Sequence, residues 1–217
     1  MNNPLSSVKI ERYKGIKEAN FDTEPVNVFI GANNSGKSSV AQIIHFGVSI
    51  LQSIGLADGW SRGAASISPT QLHYSPCVDL YALGHGKRLV ENEDSAIGLK
   101  LTLSDGELIE LTIRKGRNDN INARFNNVEA AKSLADLEKP YTIYSPGLAG
   151  IARKEEYVSN GVLLRTIARG DANLVLRNIL LRLSNDERKD DWDSFLEDLR
   201  RLFGDIDIRV NFNPDID

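Results

Sequence analysis

The stretch GANNSGKSS, residues 31–39, constrains this chain more than any other. Gly31 and Gly36, followed by Lys37 and Ser38, have the spacing that lets a backbone curl with successive N–H groups aimed at one anion, and no Cβ stands in the way. The residues on either side supply the context that such a loop needs. Before it, VNVFI (26–30) is β-branched and apolar enough for a buried strand. After it, Val40, Ile43, Ile44, Val48 and Leu51 recur at intervals of three and four, which predicts one apolar face of a helix running to about Ser53. The order is therefore strand, loop, helix. In that order the helix directs its positive end at the loop, Lys37 places an ammonium on the β and γ phosphates of a nucleotide, and the Ser38 hydroxyl is the expected Mg2+ ligand. Asn33, Asn34, Ser35 and Ser39 complete the expected phosphate-surrounding set.

The remaining pattern is mixed α and β. LSSVKIERY (5–13) reads as a strand. Residues 55–70 are rich in small residues and read as a long, mobile surface loop, and the stretch up to Asp94 fits neither period. Ile97, Leu99, Leu101 and Leu103 alternate with polar or small residues, as do Ile109, Leu111 and Ile113 with Asp105-Gly106 between the two runs, so an antiparallel hairpin is expected. A third edge strand at 121–125 and a strand at YTIY (141–144) follow. From 153 the period is helical: Asp171 is placed to cap a segment carrying Leu174, Val175, Ile179 and Leu183, and Trp192 to Phe203 form the apolar face of the next. Ser184 and Glu187 have capping-box spacing between them. A last strand is expected at 206–212. The expected organisation is a strand, loop and helix core over 1–54, a mobile region over 55–95, a β-hairpin subdomain over 96–150, and a helical lobe over 151–217.

A net charge of −4 argues against a free nucleic-acid-binding module, whose footprint is an excess of Lys and Arg. Two local basic groups, Lys9, Arg12, Lys14 and Lys17 on one side and Arg114, Lys115 and Arg117 on the other, are diluted by Glu11, Glu18 and Asp119. The single cysteine, Cys77, allows no internal disulfide, and the N-terminus lacks a secretory leader, so the expectation is a cytoplasmic protein with no membrane partner. His73, Cys77, Asp79 and His85 contain metal-ligating types but lack the paired spacing of zinc sites.

IERYKGI (10–16), a short connection and then GANNSGKSS resemble the start of an ABC-type ATPase head of the RecF, SMC and OLD (overcoming lysogenization defect) kind. The Asn33-Asn34 pair, where SMC proteins usually have Asn-Gly, is closer to the OLD-like AAA ATPases, and YSPGLAGI (144–151) followed by Glu155-Glu156 is similar to them too. The resemblance implies a P-loop NTPase fold of α/β class: a twisted sheet with antiparallel and parallel strands, an antiparallel β subdomain and a helical lobe. It implies ATP and Mg2+ as cofactors and head-to-tail dimers that sandwich the nucleotide. It places Arg12 and Lys14 on a strand flanking the nucleotide. One of them would touch phosphate or base and Tyr13 would pack on the adenine, against the alternative of a solvated strand edge with a core tyrosine.

Such heads also carry a signature segment resembling LSGGQ and an apolar strand ending in Asp-Glu, and neither pattern occurs in these residues. The position of a γ-phosphate-sensing glutamine, just after YTIY, holds Ser145-Pro146-Gly147. The chain therefore reads as the N-terminal, ATP-binding portion of such an ATPase, with unknown catalytic residues. Its expected partners are a second copy or a complementary C-terminal half in trans, a nuclease or toprim protein, and DNA, in DNA repair or anti-phage defence. The competing reading is a non-hydrolysing regulatory or scaffolding subunit. A kinase lacks a visible acceptor base or lid.

Overall fold

A computed structural model describes residues 4–145, 150, 152, 154–210 and 212. Contacts divide the chain into a first unit, Met1–Tyr144, and a second, Ser145–Asp217.

The first unit is built on a six-stranded sheet: β1 (Leu5–Tyr13), β2 (Ile16–Asp22), β3 (Ala64–Ile67), β4 (Ile97–Leu103), β5 (Leu108–Lys115) and β6 (Ile121–Phe125), in the spatial order β2-β1-β4-β5-β6-β3. The alternation at 97–113 does form the hairpin, with Leu101 opposite Ile109 and Leu99 opposite Leu111. Gly106, at φ +87°, makes the turn between them. The inward set Val8, Ile10, Leu99, Leu101, Leu111 and Ile113 is buried in one core with Ile43, Phe46, Ile50 and Ile54 of α1 (Lys37–Leu56). Gly47 allows the helix to approach closely: a Cβ built there would lie 2.4 Å from Leu99 Cδ2 and 3.4 Å from Leu111 Cδ2. Helix α1 is long and apolar enough to cross a bilayer by composition alone, but 67% of its most apolar window is buried inside the fold, as befits a core helix.

Several expectations change. Every strand pair among the described residues is antiparallel, so the expected parallel strands are not part of this sheet. Residues 26–30 form no strand: Val26 is 80%, Val28 76% and Ile30 92% exposed, and none of them pairs with a described strand. Phe29 sets its ring edge-on to Phe21 at 5.4 Å, and Asn27 exchanges bonds with the Glu24 backbone just before the segment. Residues 141–144 likewise form no strand, nor do 206–210. The 55–70 segment is not one long loop. It holds the end of α1, a 3-10 turn and β3, and β3 pairs with β6 so that β6 is no longer an edge. Of YSPGLAGI, residues 146–149 and 151 lie outside the described set.

A different glycine is hemmed in by backbone. Gly84 bridges to Tyr13 beside the Lys14 N–H bond to the Leu83 carbonyl (2.7 Å), and a Cβ at 84 would stand 2.3 Å from the Arg88 carbonyl oxygen and 2.6 Å from Leu89 N. Backbone cannot rotate away as a side chain can. Gly84→Ala is therefore expected to lower stability by about 1–3 kcal/mol, the usual cost of overpacking. Urea unfolding followed by circular dichroism checks this; an unchanged midpoint would refute it.

The second unit is helical: α3 (Asn160–Ala168), a 3-10 turn (Ala172–Val175), α4 (Leu176–Leu183) and α5 (Lys189–Phe203); a short α2 (Val128–Leu134) belongs to the first unit. Its small core is Leu163, Ile167 and Val175. Glu155 is buried and accepts bonds from the Arg177 and Asn178 N–H groups (2.9 and 2.8 Å), so a carboxylate from outside the helix satisfies the open N–H groups of the first turn of α4. Asp171 makes no side-chain cap, and Ser184 donates to Leu181 O at the end of α4 rather than opening α5, so the proposed capping box does not form. On α5 only Leu196 is buried, and Leu202 and Phe203 stand exposed.

Candidate functional site

The glycine loop is wound as its residues dictate. Asn34 and Gly36 adopt positive φ (+65° and +96°), which turns successive peptide groups toward one side. A Cβ at Gly31 would meet only the exposed Ser35 side chain, Oγ at 2.8 Å, which can turn aside; at Gly36 the positive φ disfavours ordinary side chains and Ile16 packs underneath. Helix α1 starts at Lys37 with no side-chain cap and no acidic residue in its first turn. The N–H groups there and the positive helix end thus carry no built-in anion.

Lys37 lies across the mouth of the loop. Its ammonium donates to the Gly31 and Ala32 carbonyls, both at 2.7 Å, and reaches Ser35 Oγ at 3.5 Å. Asn33, Asn34, Ser35 and Ser38 are exposed, and Ser39 is half-buried. A cation, a left-handed turn and a hydroxyl thus stand together at the start of a helix, an arrangement suited to an anion.

The flanking residues behave differently from one another. Arg12 is engaged in holding the sheet: Nε donates to the Ala96 carbonyl at 2.6 Å and Nη2 to Glu11 at 3.0 Å. Tyr13 has no exposed surface and cannot stack on an adenine; burial pushes its phenol far above the ordinary value. Lys14 donates to Gln42 Oε1 at 2.7 Å, and burial pulls its pKa below the usual lysine value.

Gln42 belongs to a row of polar residues along α1. Ser38, Gln42, His45, Ser49 and Ser53 follow one another at three and four along α1, a polar stripe beside the apolar one. Each is met from elsewhere in the first unit, Ser38 excepted: Gln42 Nε2 donates to Tyr144 OH (3.5 Å), His45 Nδ1 pairs with Thr142 Oγ1 (2.9 Å), Ser49 Oγ accepts from Tyr74 N (2.8 Å) and Ser53 Oγ from His73 N (3.3 Å). Tyr144 stacks on His45 at 5.8 Å and Tyr74 meets it edge-on at 4.6 Å. The 141–144 segment is thus bound as irregular chain to a helix that begins at the glycine loop. The spacing of the polar residues was the available signal.

Other candidates serve local ends. Cys77 Sγ donates to Asp79 O, Asp79 accepts from Tyr81 N, and His85 pairs with Lys14 O. Lys9 is ion-paired with Glu11 and Glu18, and Arg114 and Arg124 share Glu93. The bond from Lys9 holds the Glu11 carboxyl below its ordinary value, with help from Arg12. These pairings offset part of the two basic groups.

Residues 4–58, which span β1, β2, the loop and all of α1, match the AAA ATPase domain family. No curated protein and no solved structure matches the chain. The match to an AAA ATPase domain points to ATP binding, for which Mg2+ is the usual companion.

Proposed function

We propose that this chain is the ATP-binding portion of an ABC-type ATPase head of the OLD, RecF and SMC-like group. Gly31 to Ser39 hold the phosphates and Ser38 the Mg2+. The observation that carries this reading is the open loop with Lys37 across its mouth and an uncapped helix beginning behind it. Lys14, on Gln42 one turn beyond Ser38, takes the flanking role that Arg12 is too engaged to fill.

A complementary half completes the head, whether from further along the same polypeptide or from another chain. The uncovered segment 26–30 supports this, because an apolar run that reads as buried on both sides is what a central strand presents before its neighbours arrive. Action beside a nuclease or toprim protein on DNA rests on the likeness of IERYKGI and GANNSGKSS to those heads. The alternative, a subunit that binds nucleotide for assembly without hydrolysing it, is compatible with the same segment, and turnover on completing the head separates the two.

Isothermal titration with ATP and Mg2+ tests the binding. The native chain is expected to saturate below about 1 mM, and Lys37→Ala to weaken binding by about a hundredfold or more, as loss of a charge-assisted phosphate contact implies. Circular dichroism of the variant separates this from unfolding. A native chain that binds nothing at millimolar ATP would sink the proposal.

A further inference from the structure

The second unit contains a cavity of about 550 Å³ that the nucleotide reading leaves unused. That volume is within the range of small-molecule sites. Tyr157, Asn160, Leu163, Asn178, Leu181 and Arg182 line it, all from one unit.

Its walls are fixed. Asn178, almost fully buried, accepts from Val158 N (3.0 Å) and donates to Glu155 Oε1 (2.8 Å) and to the Glu156 carbonyl (2.9 Å), tying the 155–158 segment to α4. Glu155 does not line the cavity: its oxygens are taken by the Arg177 and Asn178 N–H groups and the Asn178 amide, and Arg177 stands beside it as a counter-charge. Arg182 is the opposite case. One of its Nη atoms donates to Asn160 Oδ1, and among the described residues it forms no ion pair and no further hydrogen bond. A guanidinium carries five donors in a planar fork matched to two oxygens of one anion. The Asn160 amide, whose oxygen is taken by Arg182, has its N–H groups left to offer. Val158, Leu163 and Leu181 supply an apolar floor, with the half-exposed Tyr157 ring as one side. Donors and positive charge at one place and apolar surface at another select a ligand with an oxyanion on an apolar body.

We propose that this cavity is a binding site for a small organic oxyanion, with Arg182 and Asn160 taking the charged group and Leu163, Leu181 and Tyr157 the apolar body. The test is calorimetric titration of the full 217-residue chain with phenyl phosphate. Inorganic phosphate and benzyl alcohol serve as the two half-ligands, and the series is repeated on Lys37→Ala to remove the glycine loop from the comparison.

Phenyl phosphate is expected to saturate one site below about 1 mM in both proteins, and each half-ligand to bind more weakly. Arg182→Gln is expected to weaken phenyl phosphate by about tenfold or more, the effect of losing a charged hydrogen bond. Asn160→Asp, which keeps size and supplies Arg182 with an internal counter-ion, is expected to weaken it comparably and carries the test if Arg182→Gln does not fold. Native affinity in either folded variant, or no saturation by about 10 mM, would overturn the proposal. So would binding that disappears with Lys37→Ala, because it would belong to the loop.

Discussion

The purified chain is expected to release phosphate from ATP at a rate close to the uncatalysed background, and a complementary half to raise turnover by about a thousandfold or more. On the proposed reading, binding draws on backbone N–H groups, Lys37 and the Ser38 hydroxyl, all within nine residues of one loop. Hydrolysis needs more: a water held in line with the γ-phosphate and further positive charge on the transferring group, because positioning and electrostatics supply most of the catalysis in phosphoryl transfer. No apolar run in this sequence ends in an Asp-Glu pair that would hold the metal and direct that water. Lys37→Ala should erase the gain from the added half. A phosphate-release assay decides the matter. Brisk, Lys37-dependent turnover by the chain alone would mean that a catalytic acid lies within it, and binding without any gain on completing the head would favour the scaffolding reading.

Gly47→Leu is expected to destabilise the first unit by about 3 kcal/mol or more, at or beyond the upper end of ordinary overpacking. The added Cβ alone would press to 2.4 Å on Leu99, and the three carbons beyond it would enter a layer where Leu99 and Leu111 are 1% and 3% exposed. Interiors packed this densely have no void to receive them, so α1 must lift off β4 and β5. Against a typical total stability of about 5–15 kcal/mol, that shift is large. Gly47→Ala makes the informative control. Its clash is with the flexible end of Leu99, and helix propensity returns about 1 kcal/mol, so its midpoint in urea should lie close to the native value. Equal midpoints for Leu and native would show that the helix does not lie on the sheet as described.

Local sequence was informative where local forces decide. The loop, α1 and the β4–β5 hairpin are written in glycine placement and in strict periods of 3.6 and 2, and the AAA ATPase domain match covers the first two. The misses share a cause, which is that a strand exists only through its neighbours. Ala64–Ile67 carries small residues and little β-propensity, yet becomes β3 because β6 offers it a ladder. Residues 26–30 have high β-propensity and remain outside every described sheet because no described strand lies against them. YTIY has the composition of a strand, but Thr142 and Tyr144 are held by the His45 and Gln42 side chains instead. At the site, Lys37 and its glycines were readable from spacing. That Arg12 would spend its guanidinium on Ala96 as well as on its neighbour Glu11 was not, since the Ala96 contact depends on how β1 lies beside the residues leading into β4.

The position of Lys37 also bears on how quickly a nucleotide can settle. With its ammonium already bonded to two carbonyls of the loop, the chain around it is wound before any ligand arrives. If the loop takes a nucleotide as proposed, capture is an exchange of partners, carbonyl oxygen for phosphate oxygen, and little ordering entropy is left to be lost at that moment. Association should follow encounter frequency and ionic strength, with no slow phase for loop ordering, and differences in affinity among nucleotides should appear in how long each one stays.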